Sequence, residues 1–154
     1  GDAEQASSRA TFVVILMQNC FQMEDIDGFR KAAEIMKTEY PDNENAVNAY
    51  LMEGQLAFEG KDFLKAKDIF MQASEKYPSE PKGLLMAARS AWMHAQNNGS
   101  KKDDMEAAIN LFKQLEAANP EDPELWGESL YILYNNTQQS ALAAPYKKYY
   151  NASK

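Results

Sequence analysis

Apolar residues recur at intervals of three and four along most of the chain, which is the spacing of one face of an α-helix. The clearest stretch lies within residues 62–77, where Asp62 suits the N-cap position and the apolar face comprises Phe63, Ala66, Ile69, Phe70, Ala73 and Tyr77. No window combines sustained alternation with β-branched residues, so strands are not expected. The pattern predicts an all-α chain whose helices, eight of them, span residues 4–23, 27–39, 44–59, 62–77, 81–96, 102–118, 122–135 and 139–151.

A 34-residue segment, Val47–Glu80, repeats along the chain with imperfect copies on both sides. Aligned on Gly54, the copies place Cys20 one period earlier and Ala88 one period later. A hairpin of two helices buries its apolar face only against its neighbours, so the repeat predicts one stacked domain over residues 1–154. Its units span residues 13–46, 47–80, 81–122 and 123–154, and the third carries a polar insertion around Gln96–Asp103.

The repeat resembles the tetratricopeptide repeat (TPR) family. In the second unit Tyr50 stands where that family has a bulky residue that opens the first helix, and Gly54 and Ala66 stand at its small contact positions. Pro78 falls where the family ends the second helix. The resemblance implies a right-handed superhelix of stacked helix-turn-helix units, closed by a degenerate C-terminal cap. Unit one departs from the pattern, since Pro41 comes three residues early and predicts a shortened second helix.

Composition and charge exclude several classes of partner. Lys and Arg total 16 against 23 acidic residues, which gives a formal net charge of −7. Sequence-independent binding to nucleic acid or to anionic membranes needs a cationic surface, so neither is expected. The longest apolar run, Phe12–Met17, is far shorter than a transmembrane helix. The single cysteine, Cys20, has no internal disulfide partner and is interpreted as a packing residue.

The first residues bear on localisation. The chain begins with Gly1 and Asp2, without a methionine. This start favours a processed mature chain from which a leader was removed. The expectation is therefore a periplasmic or exported bacterial protein, and a cytoplasmic location is the alternative.

Recognised catalytic and cofactor motifs are missing from the sequence. The one histidine, His94, has no second histidine with which to hold zinc, and it lacks the partners of a nucleophilic triad. No GxxxxGK[ST], GxGxxG or HExxH motif occurs. Carboxylate pairs such as Asp103 and Asp104 fall at helix starts, where negative charge is favoured. The sequence therefore predicts no cofactor, no metal site and no enzymatic activity.

In TPR proteins the first helix of each unit lines a concave groove, so the resemblance implies a groove here that binds a peptide or a segment of a partner protein. We define the groove face by ten inward positions: Phe21, Asn48, Gln55, Phe58, Lys82, Arg89, Trp92, Met93, Tyr131 and Tyr134. Aromatic residues and Arg dominate interface energies, and Lys82 and Arg89 suit a partner carboxylate. The carboxylate clamp of chaperone-binding members is not reproduced, because Met17, Phe21 and Met52 occupy its polar positions. An extended, more apolar ligand is favoured.

Several alternatives stay open at this point. An aromatic stripe at helical spacing is also the pattern of a hydrophobic core, in which case the groove is filled by its own side chains. A scaffold that self-associates into homo-oligomers without a groove ligand is a second function, and a helical accessory of glycan uptake at a bacterial surface is a third. Near the C-terminus, Tyr146, Tyr149 and Tyr150 have helical spacing and are expected to cover the last apolar face, with docking to another subunit as the alternative.

Overall fold

The computed structural model describes residues 1–152, which are helical nearly throughout and contain no strand, as the hydrophobic pattern predicts. The last two residues of the predicted unit 123–154 lie outside the described residues. Two 3₁₀ turns, at Pro123–Leu125 and Ala144–Tyr146, accompany the α-helices. The second turn joins α8 to α9 without a gap, so a broken helix replaces the single one expected over residues 139–151. The helices are α1 (Asp2–Gln22), α2 (Ile26–Glu39), α3 (Ala46–Glu59), α4 (Phe63–Lys76), α5 (Pro81–Asn97), α6 (Lys102–Ala118), α7 (Gly127–Asn136), α8 (Ser140–Ala143) and α9 (Lys147–Ala152).

Helices that follow one another along the chain are also neighbours in space, so the molecule is a stack of helical hairpins. Contacts are most extensive in the centre, where α3, α4, α5 and α6 pack in succession. The α2–α3 and α6–α7 junctions are smaller. Buried side chains form one cluster across α1 to α3, a small one on α4 and α5 against which half-buried side chains of α3 pack, and one from α5 to the C-terminal segment. Each hairpin therefore shares its core with the next, as a repeat stack requires.

The hairpin turns share one backbone conformation. A residue with positive φ comes two positions before the second helix in all four hairpins of residues 1–152: Glu24 at 59°, Lys61 at 63°, Ser100 at 53° and Gln138 at 60°. In the first two turns the next residue is Asp25 or Asp62, whose carboxylate accepts a hydrogen bond from the backbone N–H three residues on, at 3.0 and 3.3 Å. The predicted Asp62 N-cap is confirmed. These short turns hold the two helices of a hairpin side by side.

The second helix of the first hairpin is not shortened, contrary to the expectation from Pro41. Both α2 and α4 have 14 residues, and each ends at a tyrosine with φ of −130°, Tyr40 or Tyr77, that directly precedes a proline. These tyrosines lie 37 residues apart, as do the two aspartate N-caps. The first hairpin is therefore displaced by about one helical turn from the 34-residue period. The connection at residues 40–45 is longer than the one between α4 and α5 and absorbs the displacement.

The last unit begins differently from the prediction. Pro123–Leu125 form a 3₁₀ turn and α7 starts at Gly127, whereas the hydrophobic pattern predicts a helix from residue 122, so Trp126 lies before the helix. Trp126 lies at the junction, only 4% exposed, and its indole N–H donates to the carbonyl of Asn119 at 2.8 Å. A Cβ added at Gly127 would lie 2.6 Å from the ring of Tyr149. The glycine thus lets the C-terminal segment approach the start of α7 closely.

The polar insertion of the third unit lengthens helices and leaves a short exposed turn. Both α5 and α6 have 17 residues, and only residues 98–101 connect them. Gly99 has a φ of 81° in this connection, and an Asn-Gly pair such as Asn98-Gly99 favours a turn. The side chain of Asn98 donates to Asp104 at 2.8 Å and so ties the turn to α6.

Tyr146 and Tyr149 cover the end of the last hairpin, as their spacing predicts. Their rings lie 6.0 and 5.2 Å from the Trp126 ring, nearly perpendicular to it. The Tyr146 hydroxyl donates to the Glu116 carboxylate at 2.9 Å and accepts from the Lys113 ammonium at 2.9 Å. The last segment is therefore tied to α6 as well as to α7.

Three tyrosines make the fold sensitive to alkaline pH. Burial raises the pKa of Tyr50, Tyr77 and Tyr146 above the ordinary value of 10.0, and negative charge on neighbouring groups raises it further. At Tyr146 the hydrogen bond from the Lys113 ammonium offsets part of this rise in pKa. The folded state then holds these protons more tightly than the unfolded state, so the stability they contribute is complete below pH 10 and is lost as the pH rises through the folded-state values. We expect the urea midpoint to fall steeply above about pH 10, together with a rise in tyrosinate absorbance.

Tyr77→Phe provides the control for this pH dependence. The Tyr77 hydroxyl donates to the carbonyl of Pro41 at 2.8 Å and links the two inter-hairpin connections. The free energy of unfolding of the variant is expected to be about 1 kcal/mol lower than that of the wild type at neutral pH. It is expected to decline less steeply than that of the wild type above pH 10. A profile identical to that of the wild type would contradict the role given to this hydroxyl.

Candidate functional site

The ten groove-face residues lie on α1, α3, α5 and α7, the first helix of each hairpin. Lys82 and Arg89 are exposed, whereas Tyr134 is buried, with 9% of its surface exposed. Asn48 also lines a cavity of about 650 Å³ beside the two inter-hairpin connections. Seven residues are half-buried: Phe21, Asn48, Gln55, Phe58, Trp92, Met93 and Tyr131. Nine of the ten thus keep contact with solvent, which a binding role requires.

Positions of α3 and α5 that lie 34 residues apart have matching environments. Phe58 and Trp92 are both half-buried aromatics, and Leu51 and Leu85 are both half-buried. Leu51 and Phe58 pack against the central core cluster, whereas Leu85 and Trp92 pack against the C-terminal one. Because α3 and α5 contact each other directly, these equivalent side chains lie on adjacent helices.

Each half-buried aromatic of the groove face rests against an aromatic ring from the second half of its own hairpin. The ring of Phe58 meets that of Phe63 edge-on at 5.0 Å, and Trp92 meets Phe112 at 6.0 Å. Phe21 on α1 has the same edge-on contact with Phe29 of α2, whereas Tyr131 on α7 lies at a smaller interplanar angle, 32°, against a ring of α9. Edge-to-face pairs of this kind fix ring orientation. The groove-face rings are thus held in place from behind while part of their surface stays open.

Tyr134 is the exception among the aromatics. Its ring stacks on Tyr146 with a centroid distance of 6.0 Å, and it belongs to the C-terminal core cluster. For this residue the structure agrees with the alternative that the stripe contributes to the core. We therefore assign it a packing role between α7 and the C-terminal segment.

The charged side chains of the groove face are concentrated on α5. On α3 the amide of Gln55 donates to Glu59 at 3.0 Å, so its polar atoms are engaged within the helix. On α5 neither Lys82 nor Arg89 forms an ion pair with any residue in the range 1–152. The guanidinium of Arg89 approaches the sulfur of Met86 at 4.0 Å. These two exposed cations give α5 an attraction for an anionic group.

Trp92 carries a buried donor that no acceptor satisfies. Its indole N–H is shielded from solvent and finds no hydrogen-bond partner within residues 1–152. A buried unpaired donor costs about 1–3 kcal/mol. Replacement by Phe removes the donor and keeps an aromatic ring, so Trp92→Phe is a suitable probe of the surface that leaves the fold intact.

The sequence did not indicate a second cavity, which lies between α2, α3 and α4. It exists because α2 contacts α3 far less than α3 contacts α4. Lys37 on α2 forms an ion pair with Glu53 in its wall at 2.7 Å and bridges the two helices there. In the sequence, Ile26, Arg30 and Glu34 follow one another at intervals of four residues on a predicted helix. This shared helix face is the feature from which the cavity could have been predicted. The cavity has a volume of about 450 Å³ and is lined by Ile26, Arg30, Glu34, Glu53, Leu56, Ala57, Lys65 and Ile69.

Comparison with known proteins assigns no family. The chain matches no protein-family model, and no curated protein matches its sequence. Among the helices of residues 1–152, none is long and apolar enough to cross a membrane. The same residues contain no group of three or more His, Cys, Asp or Glu side chains placed to hold a metal ion. The class of protein is therefore defined by the fold alone: an all-α stack of helical hairpins.

Proposed function

We propose that the chain is a non-catalytic interaction module of the TPR kind, which binds an extended segment of a partner protein on its groove face. The observation that carries this proposal is the solvent access of nine groove-face residues on successive first helices. Their aromatic members are oriented by rings behind them, so little side-chain freedom is lost on binding.

The chemistry of this face favours an apolar segment that carries a carboxylate. Phe58 and Trp92 offer partly open rings, and Met93 offers a flexible thioether that adapts to apolar side chains. Lys82 and Arg89 lie seven residues apart on α5, which is about 10 Å along the helix axis. A carboxylate held by Arg89 in a bidentate manner would add orientation to the apolar contacts.

The proposal is tested with peptides selected from a random library on the full wild-type chain, whose affinities are then measured by calorimetry. The selected sequences are expected to combine apolar residues with Asp, Glu or a free C-terminus. Arg89→Ala and Trp92→Phe are each expected to weaken binding by about ten-fold, because Arg and Trp are the residue types most often found at binding hot spots.

Arg30→Ala is the matched control, since Arg30 is an exposed arginine that lines the cavity between α2 and α4. It is expected to bind the selected peptides like the wild type. If Arg30→Ala weakens peptide binding and Arg89→Ala does not, the ligand binds in that cavity and not on the groove face. Normal binding by the Arg89→Ala and Trp92→Phe double variant would refute the groove-face proposal.

A further inference from the structure

The outer face of α1 is apolar, and nothing within residues 1–152 covers it. Phe12, Ile15, Leu16 and Met23 expose 66%, 51%, 39% and 78% of their surfaces. Their spacing places them along one side of the helix, where the exposed Asn19 lies between Leu16 and Met23. The opposite side of α1 packs in the core through Ala10, Val13, Val14, Met17 and Cys20. Exposed apolar side chains grouped along one helix in this way mark interaction surfaces on soluble proteins.

The beginning of α1 also extends past the rest of its hairpin. The helix has 21 residues against 14 in α2, and none of the residues Asp2–Arg9 is buried. A helical end without packing is marginal in water, because it gains little beyond its own backbone hydrogen bonds. A partner that lies along α1 would stabilise these two turns and cover the apolar side chains together.

The charges at the two ends of the apolar stripe are complementary to each other. Arg9 lies about one turn before Phe12, whereas Glu24 and Asp27 follow Met23, and all three charged side chains are exposed. The acidic residues Asp2 and Glu4 lie farther from the stripe, in the first turn of α1, where Glu4 pairs with the amino group of Gly1. Within residues 1–152 Arg9 has no ion-pair partner. When two α1 helices lie side by side and antiparallel, Phe12 of each meets Met23 of the other. Arg9 then meets Glu24 and Asp27, whereas a parallel pair would set like charges together.

We propose that a second copy of this chain covers the α1 stripe and forms an antiparallel, two-fold symmetric dimer. Such an interface is isologous, so a self-complementary stripe with opposite charges at its ends is what it requires. This surface lies on the outer side of α1 and leaves the groove-face positions of α3, α5 and α7 outside the contact.

The area of the stripe sets the expected strength of the dimer. The four apolar side chains expose on the order of 400 Å² per chain, and the projecting turns bring the contact toward the roughly 800 Å² per partner of a standard interface. An interface of this size with a small apolar centre gives a reversible dimer with a dissociation constant of about 1–100 µM.

Sedimentation equilibrium of the full chain, from about 1 µM to about 1 mM, tests the proposal. The mean mass is expected to rise from one chain to two across this range. Phe12→Glu combined with Ile15→Glu is expected to abolish dimerisation while circular dichroism stays helical. Leu142→Glu is the matched control, because Leu142 is a 53% exposed leucine far along the chain, and it is expected to dimerise normally.

A charge exchange distinguishes the antiparallel arrangement from non-specific association. Arg9→Glu is expected to raise the dissociation constant about five-fold or more, because two-fold symmetry counts each weak surface pair twice. Adding Glu24→Arg and Asp27→Arg to Arg9→Glu is expected to restore the affinity. A chain that stays monomeric to about 1 mM would overturn the proposal in favour of a different protein or a lipid surface. If the triple variant loses as much dimer affinity as Arg9→Glu alone, the antiparallel arrangement is wrong.

Discussion

Phe70→Ala is expected to lower the free energy of unfolding by about 3–5 kcal/mol, the usual cost of emptying a fully buried phenylalanine site. Phe70 is 1% exposed and lies at the centre of the stack, where it belongs to the cluster that joins α3, α4 and α5. Its ring fills the space left by the missing side chain of Gly54. Urea unfolding measures the loss as a lower midpoint at an unchanged m-value, and Phe70→Leu, which keeps more volume, is expected to lose less.

The contact between Phe70 and Gly54 predicts a change of sign in a double-mutant cycle. An alanine Cβ at Gly54 would lie 2.5 Å from the Phe70 ring, so Gly54→Ala is expected to cost about 1–3 kcal/mol by overpacking, despite the better helix propensity of alanine. In the Phe70→Ala background the obstacle is gone, and the same substitution is expected to stabilise the protein by about 1 kcal/mol.

Gly60→Ala is the control for this cycle. Gly60 ends α3 with a φ of −77°, and the nearest atoms to an added Cβ are 3.4 Å away or farther. Alanine there is expected to change stability by less than about 0.5 kcal/mol. A destabilising Gly54→Ala in both backgrounds would show that the cost lies in the α3 backbone and not in the ring contact.

Helix content and order could be predicted from the sequence because the determinants are local. The period of apolar residues, the Asp62 N-cap and the prolines after the second helices fix helix starts and ends within a few residues. The contact between Gly54 and Phe70 also follows the repeat, since small and bulky residues at facing positions must meet in a hairpin.

The displaced first hairpin and the start of the last unit could not be predicted in the same way. Phe29 and Phe63 match at a spacing of 34 residues, yet Tyr40 and Tyr77 end their helices at a spacing of 37. Whether the first hairpin follows the spacing of 34 or of 37 residues depends on the connection that follows α2 and on packing across hairpins, neither of which is local. Trp126 fits the position of a helix-opening aromatic, but its tertiary contacts place it before the helix.

The candidate site was predictable in position and less so in environment. Repeat spacing places Phe58 and Trp92 at equivalent points, and the structure gives both a half-buried ring. The repeat spacing could not indicate that Tyr134 is covered by Tyr146, because that contact depends on how the C-terminal segment bends at its 3₁₀ turn. The cavity between α2 and α4 depends on the separation of two hairpins, a quantity that no single helix pattern encodes.

Trp126→Ala is the second large expected effect, a loss of about 3–5 kcal/mol that is centred on the C-terminal cap. The indole is buried at the junction before α7, and its ring contacts both Tyr146 and Tyr149. Its N–H satisfies the carbonyl of Asn119, the residue that ends α6. Removing the side chain therefore empties a core site and removes one hydrogen bond at the smaller of the junctions flanking α6.

The two tryptophans allow this loss to be located. In Trp92→Phe the remaining indole, Trp126, reports on the cap, and in Trp126→Phe the remaining indole, Trp92, reports on the groove face. The α6–α7 junction is smaller than the contact between α5 and α6. We therefore expect Trp126→Phe to lower the free energy of unfolding, measured with urea, by about 1–2 kcal/mol. Trp92→Phe is expected to leave it nearly unchanged. An equal loss in both variants would mean that the cap is no more sensitive than the groove face, which contradicts the role of the indole hydrogen bond to Asn119.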